Sequence, residues 1–168
     1  MINDFIWKYV NVDTDSVLEL QDRYTKALPT NEHFFQPLNL GIDKFLGLEV
    51  QRFVLIQLAP GAVGRIHTDW RPNNYGNQLA LQIPLHNCDT SVTSFWSSDY
   101  TPPTMYTDNG QPYNSYDATR CSKISEFQLT SPLIFRTDIP HSASNNSTMI
   151  RRAISIRFEQ DPWHLIHD

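Results

Sequence analysis

Cysteine, glycine and basic charge are scarce in this 168-residue sequence, and it contains no long apolar run. The two cysteines, Cys88 and Cys121, stand far apart, without the close spacing of a zinc or dithiol motif, and both are read as reduced. Thirteen Lys plus Arg against eighteen Asp plus Glu leave a net charge of −5. That balance offers no basic field to a polyphosphate backbone, so avid nucleic-acid binding is not expected. No stretch reaches the ~20 apolar residues that cross a bilayer, and the amino terminus lacks the basic-then-apolar pattern of a secretion signal. The expectation is a cytoplasmic chain with no membrane partner, in which the sequons of Asn145-Asn146-Ser147-Thr148 carry no glycan.

Repeats and linkers are lacking too, and the length suits one domain spanning 1–168. With 40% hydrophobic and 12% aromatic residues, such a domain can fill a core. A helical lead occupies about 1–48: Asp13-Thr14-Asp15-Ser16 is an N-cap entry to a helix ending before Pro29, and Ile42 to Phe45 adds a short turn. From about 49 to 159 the pattern is strand-like, with runs at Val50–Leu58, Arg65–Asp69, Gln78–Leu85, Ser91–Trp96, Ile124–Leu129, Leu133–Thr137 and Arg152–Phe158, before a short tail. Short strands after short N-terminal helices predict a mainly β fold, a double-stranded β-helix or cupin-like jelly roll. Ser97 to Ser122, rich in Pro and Tyr, is either a lid or a surface excursion packed by its own tyrosines.

Against this background stands His67-Thr68-Asp69, with Pro140-His141 and Arg151 far downstream. In an extended strand, alternate side chains leave the same face, so His67 and Asp69 can share one ion while Thr68 points away. On a helix, the same pair would diverge by about 200°. Two imidazoles and a carboxylate suit a non-haem ferrous ion bound on one face, with the opposite face open for chemistry. Ten residues after His141, Arg151 opens an alternating strand, and its guanidinium can grip a carboxylate through two parallel hydrogen bonds. Parity places Arg151, Ala153, Ser155 and Arg157 on one face, and its neighbour and competitor Arg152 on the other with Ile154, Ile156 and Phe158.

The order HxD, His, Arg, with the RxAxS pattern of Arg151, Ala153 and Ser155, resembles the Fe(II)- and 2-oxoglutarate-dependent oxygenase superfamily over roughly Phe53 to Phe158. Within it, Leu81 to Cys88 and Pro140 to Asn145 look like the aspartyl/asparaginyl β-hydroxylase-like or small phage and bacterial branch. The resemblance implies iron at His67, Asp69 and His141, the distal carboxylate of 2-oxoglutarate at Arg151, and Ser155 on the same wall. Gln78 and Gln82 stand where some relatives carry a basic or other hydrogen-bonding group that helps hold the co-substrate. The implied reaction couples decarboxylation of 2-oxoglutarate by O2, giving succinate and carbon dioxide, to oxidation of an unidentified peptide, protein side chain or small molecule. A cupin-like metal protein without 2-oxoglutarate, or a non-catalytic phage accessory module, are the alternatives.

Other polar residues receive plainer readings. Arg65 shares parity with the HxD pair and is a second candidate for an anion, or else part of a structural ion pair. Trp70 covers the site or the core. His33 and His86 are read as surface or hydrogen-bonded residues, and His164 and His167 belong to a frayed tail.

Overall fold

The computed structural model describes residues 5–27, 35–69, 78–107, 110, 112–162 and 164–167. The chain runs through β1 (Trp7–Tyr9), α1 (Thr14–Lys26), β2 (Phe35–Leu38), β3 (Lys44–Phe45), β4 (Leu48–Leu58) and β5 (His67–Thr68). It continues through β6 (Leu79–His86), β7 (Ser91–Ser98), β8 (Thr104–Tyr106), β9 (Pro112–Ser115), a 3-10 turn at Ala118–Arg120, and β10 (Cys121–Gln128). β11 (Leu133–Arg136), β12 (His141–Asn145), β13 (Arg151–Phe158) and α2 (His164–His167) complete it.

Two antiparallel sheets carry the fold. One has the order β1-β11-β6-β13-β4-β2, with β3 paired to β4, and the other the order β10-β7-β12-β5-β9-β8. From β4 onward the chain alternates between them: β4 lies in the first, β5 in the second, β6 in the first, β7 and β10 in the second, β11 in the first, β12 in the second and β13 in the first. That alternation is the double-stranded β-helix, or jelly roll.

Strand parity sorts the first sheet into two faces. Ile154, Ile156 and Phe158 of β13, Leu81 and Ile83 of β6, and Phe53 and Leu55 of β4 form one buried cluster with Leu20 and Tyr24 of α1. The helix begins where Asp13 accepts the Ser16 backbone N–H at 2.8 Å, satisfying a donor that helix geometry leaves without an internal partner. Ala80, Ala153, Leu133 and Phe135 face the other way and close the space between the sheets with Phe95 and Phe127. On this interior face also lie Ser155 and Gln82, directly opposite each other on β13 and β6.

The lead is less helical than its polar pattern suggested. β1 pairs with β11 and β2 with β4, so both edges of the first sheet come from it. The turn expected at Ile42 to Phe45 is instead the first arm of a hairpin, with Phe45 opposite Leu48. Leu46 and Gly47 make its two-residue loop, both at positive φ (51° and 79°), as a primed turn requires. Among the described residues no helix is long and apolar enough to cross a membrane.

Candidate metal centre and its neighbouring guanidinium

β5 is only two residues long, and its position decides the site. Just before it, Gly64 donates its N–H to the Ala143 carbonyl at 2.8 Å, and a Cβ there would meet that oxygen at 3.2 Å. Glycine therefore lets the segment lie close on β12. The ladder then sets His67 directly opposite His141, and their rings stand 4.5 Å apart between centroids.

Each imidazole is oriented by a backbone carbonyl. His67 Nδ1 lies 2.9 Å from the Arg65 oxygen, and His141 Nδ1 lies 2.8 Å from the Ile139 oxygen. A carbonyl only accepts, so each Nδ1 carries the proton and each Nε2 lone pair is free for a metal. Asp69 follows the strand end, where its N–H donates to the Thr137 carbonyl at 3.0 Å, and its Oδ1 stands 3.6 Å from His67 Nε2. Asp69 Oδ2 accepts from Arg157 Nη2.

The ligand atoms of His67, Asp69 and His141 all lie within 4.8 Å of one another, the one such group among the described residues. Ligands at about 2.1 Å from a shared ion would stand about 3 Å apart at right angles, so donors now within 4.8 Å of one another would close by up to about 2 Å. Electrostatics prepares the same set. Burial raises the Asp69 pKa, but the charge of Arg157, aided by His141, His67 and Arg52, overrides it and holds the carboxyl at about 2. Burial, together with His67, pushes His141 down to about 4, so its imidazole is neutral and able to coordinate near pH 7.

Arg151 opens β13 at the far end of the same interior face. It is 1% exposed, and its Nε, Nη1 and Nη2 are all buried with no hydrogen-bond partner among the described residues. Burial lowers its pKa and the adjacent Cys88 raises it, yet a guanidinium keeps its proton in a protein. Gln82 on the same face likewise buries an amide oxygen, Oε1, that has no donor among the described residues. Buried polar atoms are normally paired, so this stretch of the interior has the polarity of a ligand site. Arg152 differs: its Nε donates to Gln57 Oε1 at 2.9 Å, and its charge is felt by Tyr24 of α1, on the helix-covered face.

The remaining candidates scatter. Ser155 is buried on the interior face, whereas Gln78 is exposed just before β6, its carbonyl accepting the Thr137 N–H and hydroxyl. Arg65 is exposed, with its carbonyl committed to His67. His86 is exposed and its ring sits 6.4 Å from that of Tyr24, while His164 is exposed at the start of α2. His33, Trp70 and the His167 side chain lie outside the described residues.

Three features were not read from the sequence. β12, which carries His141, is absent from the strand-like runs of the sequence. Part of the Ser97 to Ser122 stretch is a hairpin, β8 with β9, and β9 pairs with β5, so Tyr113 stands edge-on to His67 at 6.4 Å. Arg157 was assigned to the right face by parity, but nothing in the sequence linked it to Asp69.

No family model matches the chain, and no curated protein matches it. Among solved structures it is similar to a non-haem alpha-ketoglutarate-dependent carbocyclase, SnoK, from nogalamycin biosynthesis. The TM-score is 0.48 at 12% identity, covering 89% of this chain and 78% of that one. It is also similar to a Pseudomonas putida prolyl-4-hydroxylase (TM-score 0.46, 13% identity, 92% and 91% covered). A third similar structure is Bacillus subtilis oxalate decarboxylase (TM-score 0.40, 13% identity), where the match spans 83% of this chain but 29% of that one. At these values none of the three assigns an activity.

Proposed function

We propose that the protein is an Fe(II)- and 2-oxoglutarate-dependent dioxygenase of the superfamily its motif order resembles. The observation that carries this reading is Arg151: a fully buried guanidinium, beside the Cys88 thiol, whose three nitrogens find no hydrogen-bond acceptor among the described residues, in the same barrel interior as a two-histidine, one-carboxylate cluster. An unpaired buried cation is costly, and a carboxylate answers it with two charge-assisted hydrogen bonds. A keto diacid offers chemistry for both, a keto acid end for a metal and a distal carboxylate for the guanidinium.

His67, Asp69 and His141 would hold the metal and Arg151 the distal carboxylate, with Ser155 and Gln82 lining the wall between. The bound ion and co-substrate would supply dioxygen activation and oxidative decarboxylation to succinate and carbon dioxide. The protein's part is placement. The Arg65 and Ile139 carbonyls hold both imidazoles in the ligating tautomer, and Phe95 and Phe135 pack around His141 on the sheltered side. No side chain needs to move a proton for co-substrate decarboxylation. The oxidised substrate is a peptide or protein side chain or a small molecule.

Anaerobic titration with ferrous iron, followed by calorimetric titration with 2-oxoglutarate, tests the reading. One iron per chain is expected, lost in His67→Ala, and 2-oxoglutarate binding is expected only in the metal-loaded protein with Arg151 intact. Metal binding without any affinity for 2-oxoglutarate would favour the cupin-like alternative, and no metal binding would end both.

A further inference from the structure

Asp69 presents a geometric problem. It lies beyond the end of β5, so no ladder partner fixes it, and a carboxylate on a short side chain can turn either oxygen, or both, toward an ion. Among the described residues two hydrogen bonds restrain it: its N–H on the Thr137 carbonyl at 3.0 Å, and Arg157 Nη2 on Oδ2. Arg157 is itself braced. Its Nη1 donates to Thr137 Oγ1 at 2.9 Å and to the Leu79 carbonyl at 3.2 Å, and the residue is 4% exposed. The fork therefore ties β13 to the start of β6 and to the segment after β11. It occupies Oδ2 and leaves Oδ1 as the oxygen turned toward His67 Nε2.

We propose that Arg157 is a positioning residue for the metal: it limits Asp69 to one ligating oxygen, and so keeps the coordination position that a two-oxygen carboxylate would take open for co-substrate. The inference rests on the metal-binding reading above. Lysine could supply the charge but not the planar fork that holds Asp69, Thr137 and Leu79 together.

Cobalt(II) titration under anaerobic conditions reads both affinity and coordination number, the latter through the intensity and position of the visible bands. In folded Arg157→Gln we expect cobalt affinity to fall about 10- to 100-fold, the range for lost partners of metal ligands, with bands moved toward higher coordination. Arg157→Lys should fall between Gln and wild type. Thr137→Val, which removes one anchor and leaves the guanidinium, is the milder variant should the others not fold, and a several-fold loss with the same band change is expected. Wild-type affinity and bands in folded Arg157→Gln, or in both milder variants, would overturn the proposal while leaving the metal site standing. Failure of the wild-type protein to bind cobalt or iron would remove the metal reading as well.

Discussion

Arg151 and Arg157 leave the same face of the same strand, six residues apart, and both are nearly inaccessible, at 1% and 4% exposure. Their surroundings are opposite. Arg157 donates to a carboxylate, a hydroxyl and a carbonyl. Arg151 buries all three of its nitrogens without a partner among the described residues. A buried charge with its hydrogen bonds made contributes to one arrangement of the chain, whereas a buried charge without them is tolerated only where something else supplies the anion. One strand thus carries a cation whose hydrogen bonds the fold supplies and another for which the described residues supply none.

Replacing each by methionine, which keeps much of the volume and removes the charge, should break the pair in opposite directions. Arg157→Met leaves Asp69 with an uncompensated charge in partly buried surroundings. Because that carboxylate retains 28% side-chain exposure, we discount the usual cost of a broken buried pair to about 3 kcal/mol of lost stability. Urea unfolding of the metal-free protein checks it, and a loss within about 0.5 kcal/mol, the range of an ordinary surface substitution, would mean that the ion pair is not structural. Arg151→Met should instead leave metal-free stability unchanged or raise it by about 1 kcal/mol, since an unpaired buried charge is removed. Its cost appears in binding. Two charge-assisted bonds to a carboxylate are lost, so 2-oxoglutarate affinity should fall by at least about 100-fold, or about 2.7 kcal/mol.

The turn that delivers Arg151 to the interior provides a sharper test of position against charge. Asn145 ends β12, is fully buried, and donates from Nδ2 to the carbonyls of Leu58 (3.0 Å), Ala59 (3.1 Å) and Met149 (2.8 Å) while Oδ1 accepts from Ser147 N–H at 3.0 Å. It pins the end of β4 to the start of β13. Asn145→Ala strands several buried carbonyls, and should cost about 2 kcal/mol of stability. It should also weaken 2-oxoglutarate binding less than Arg151→Met does. If calorimetry ranked the two variants the other way, the turn would matter more to the pocket than the guanidinium it places.

How much of this could be read from the sequence follows the range of the interactions. His67 and Asp69 were legible because strand parity is local, and Arg151 was separated from Arg152 by the same rule. The strands of the core were legible where apolar and polar residues alternate, as in β13. What failed was pairing between distant segments. β12, with its run His141-Ser142-Ala143-Ser144-Asn145, lacks the apolar alternation of a strand, and its polar side chains are satisfied by contacts such as Trp96 Nε1 to Ser142 Oγ at 3.0 Å and Ser144 Oγ to the Val92 carbonyl at 3.4 Å. The β8–β9 hairpin was hidden among prolines and tyrosines, and it is fixed by β5 rather than by its own propensity. The Asp69–Arg157 pair joins residues 88 positions apart, beyond the reach of any local pattern.

The smallest expected effect concerns the rule that chose between neighbouring arginines. Arg152 lies on the helix-covered face, half-buried, where its Nε bonds Gln57 directly across the ladder. Arg152→Met removes one charge-assisted hydrogen bond at the margin of a sheet and should cost about 1 kcal/mol of stability. It should leave 2-oxoglutarate affinity within about two-fold of wild type, since the side chain does not enter the barrel. Calorimetry on the metal-loaded variant decides the matter. A loss comparable to that of Arg151→Met would mean that strand parity had assigned the co-substrate to the wrong guanidinium, and would return the empty valences of Arg151 to the status of an unexplained feature of the core.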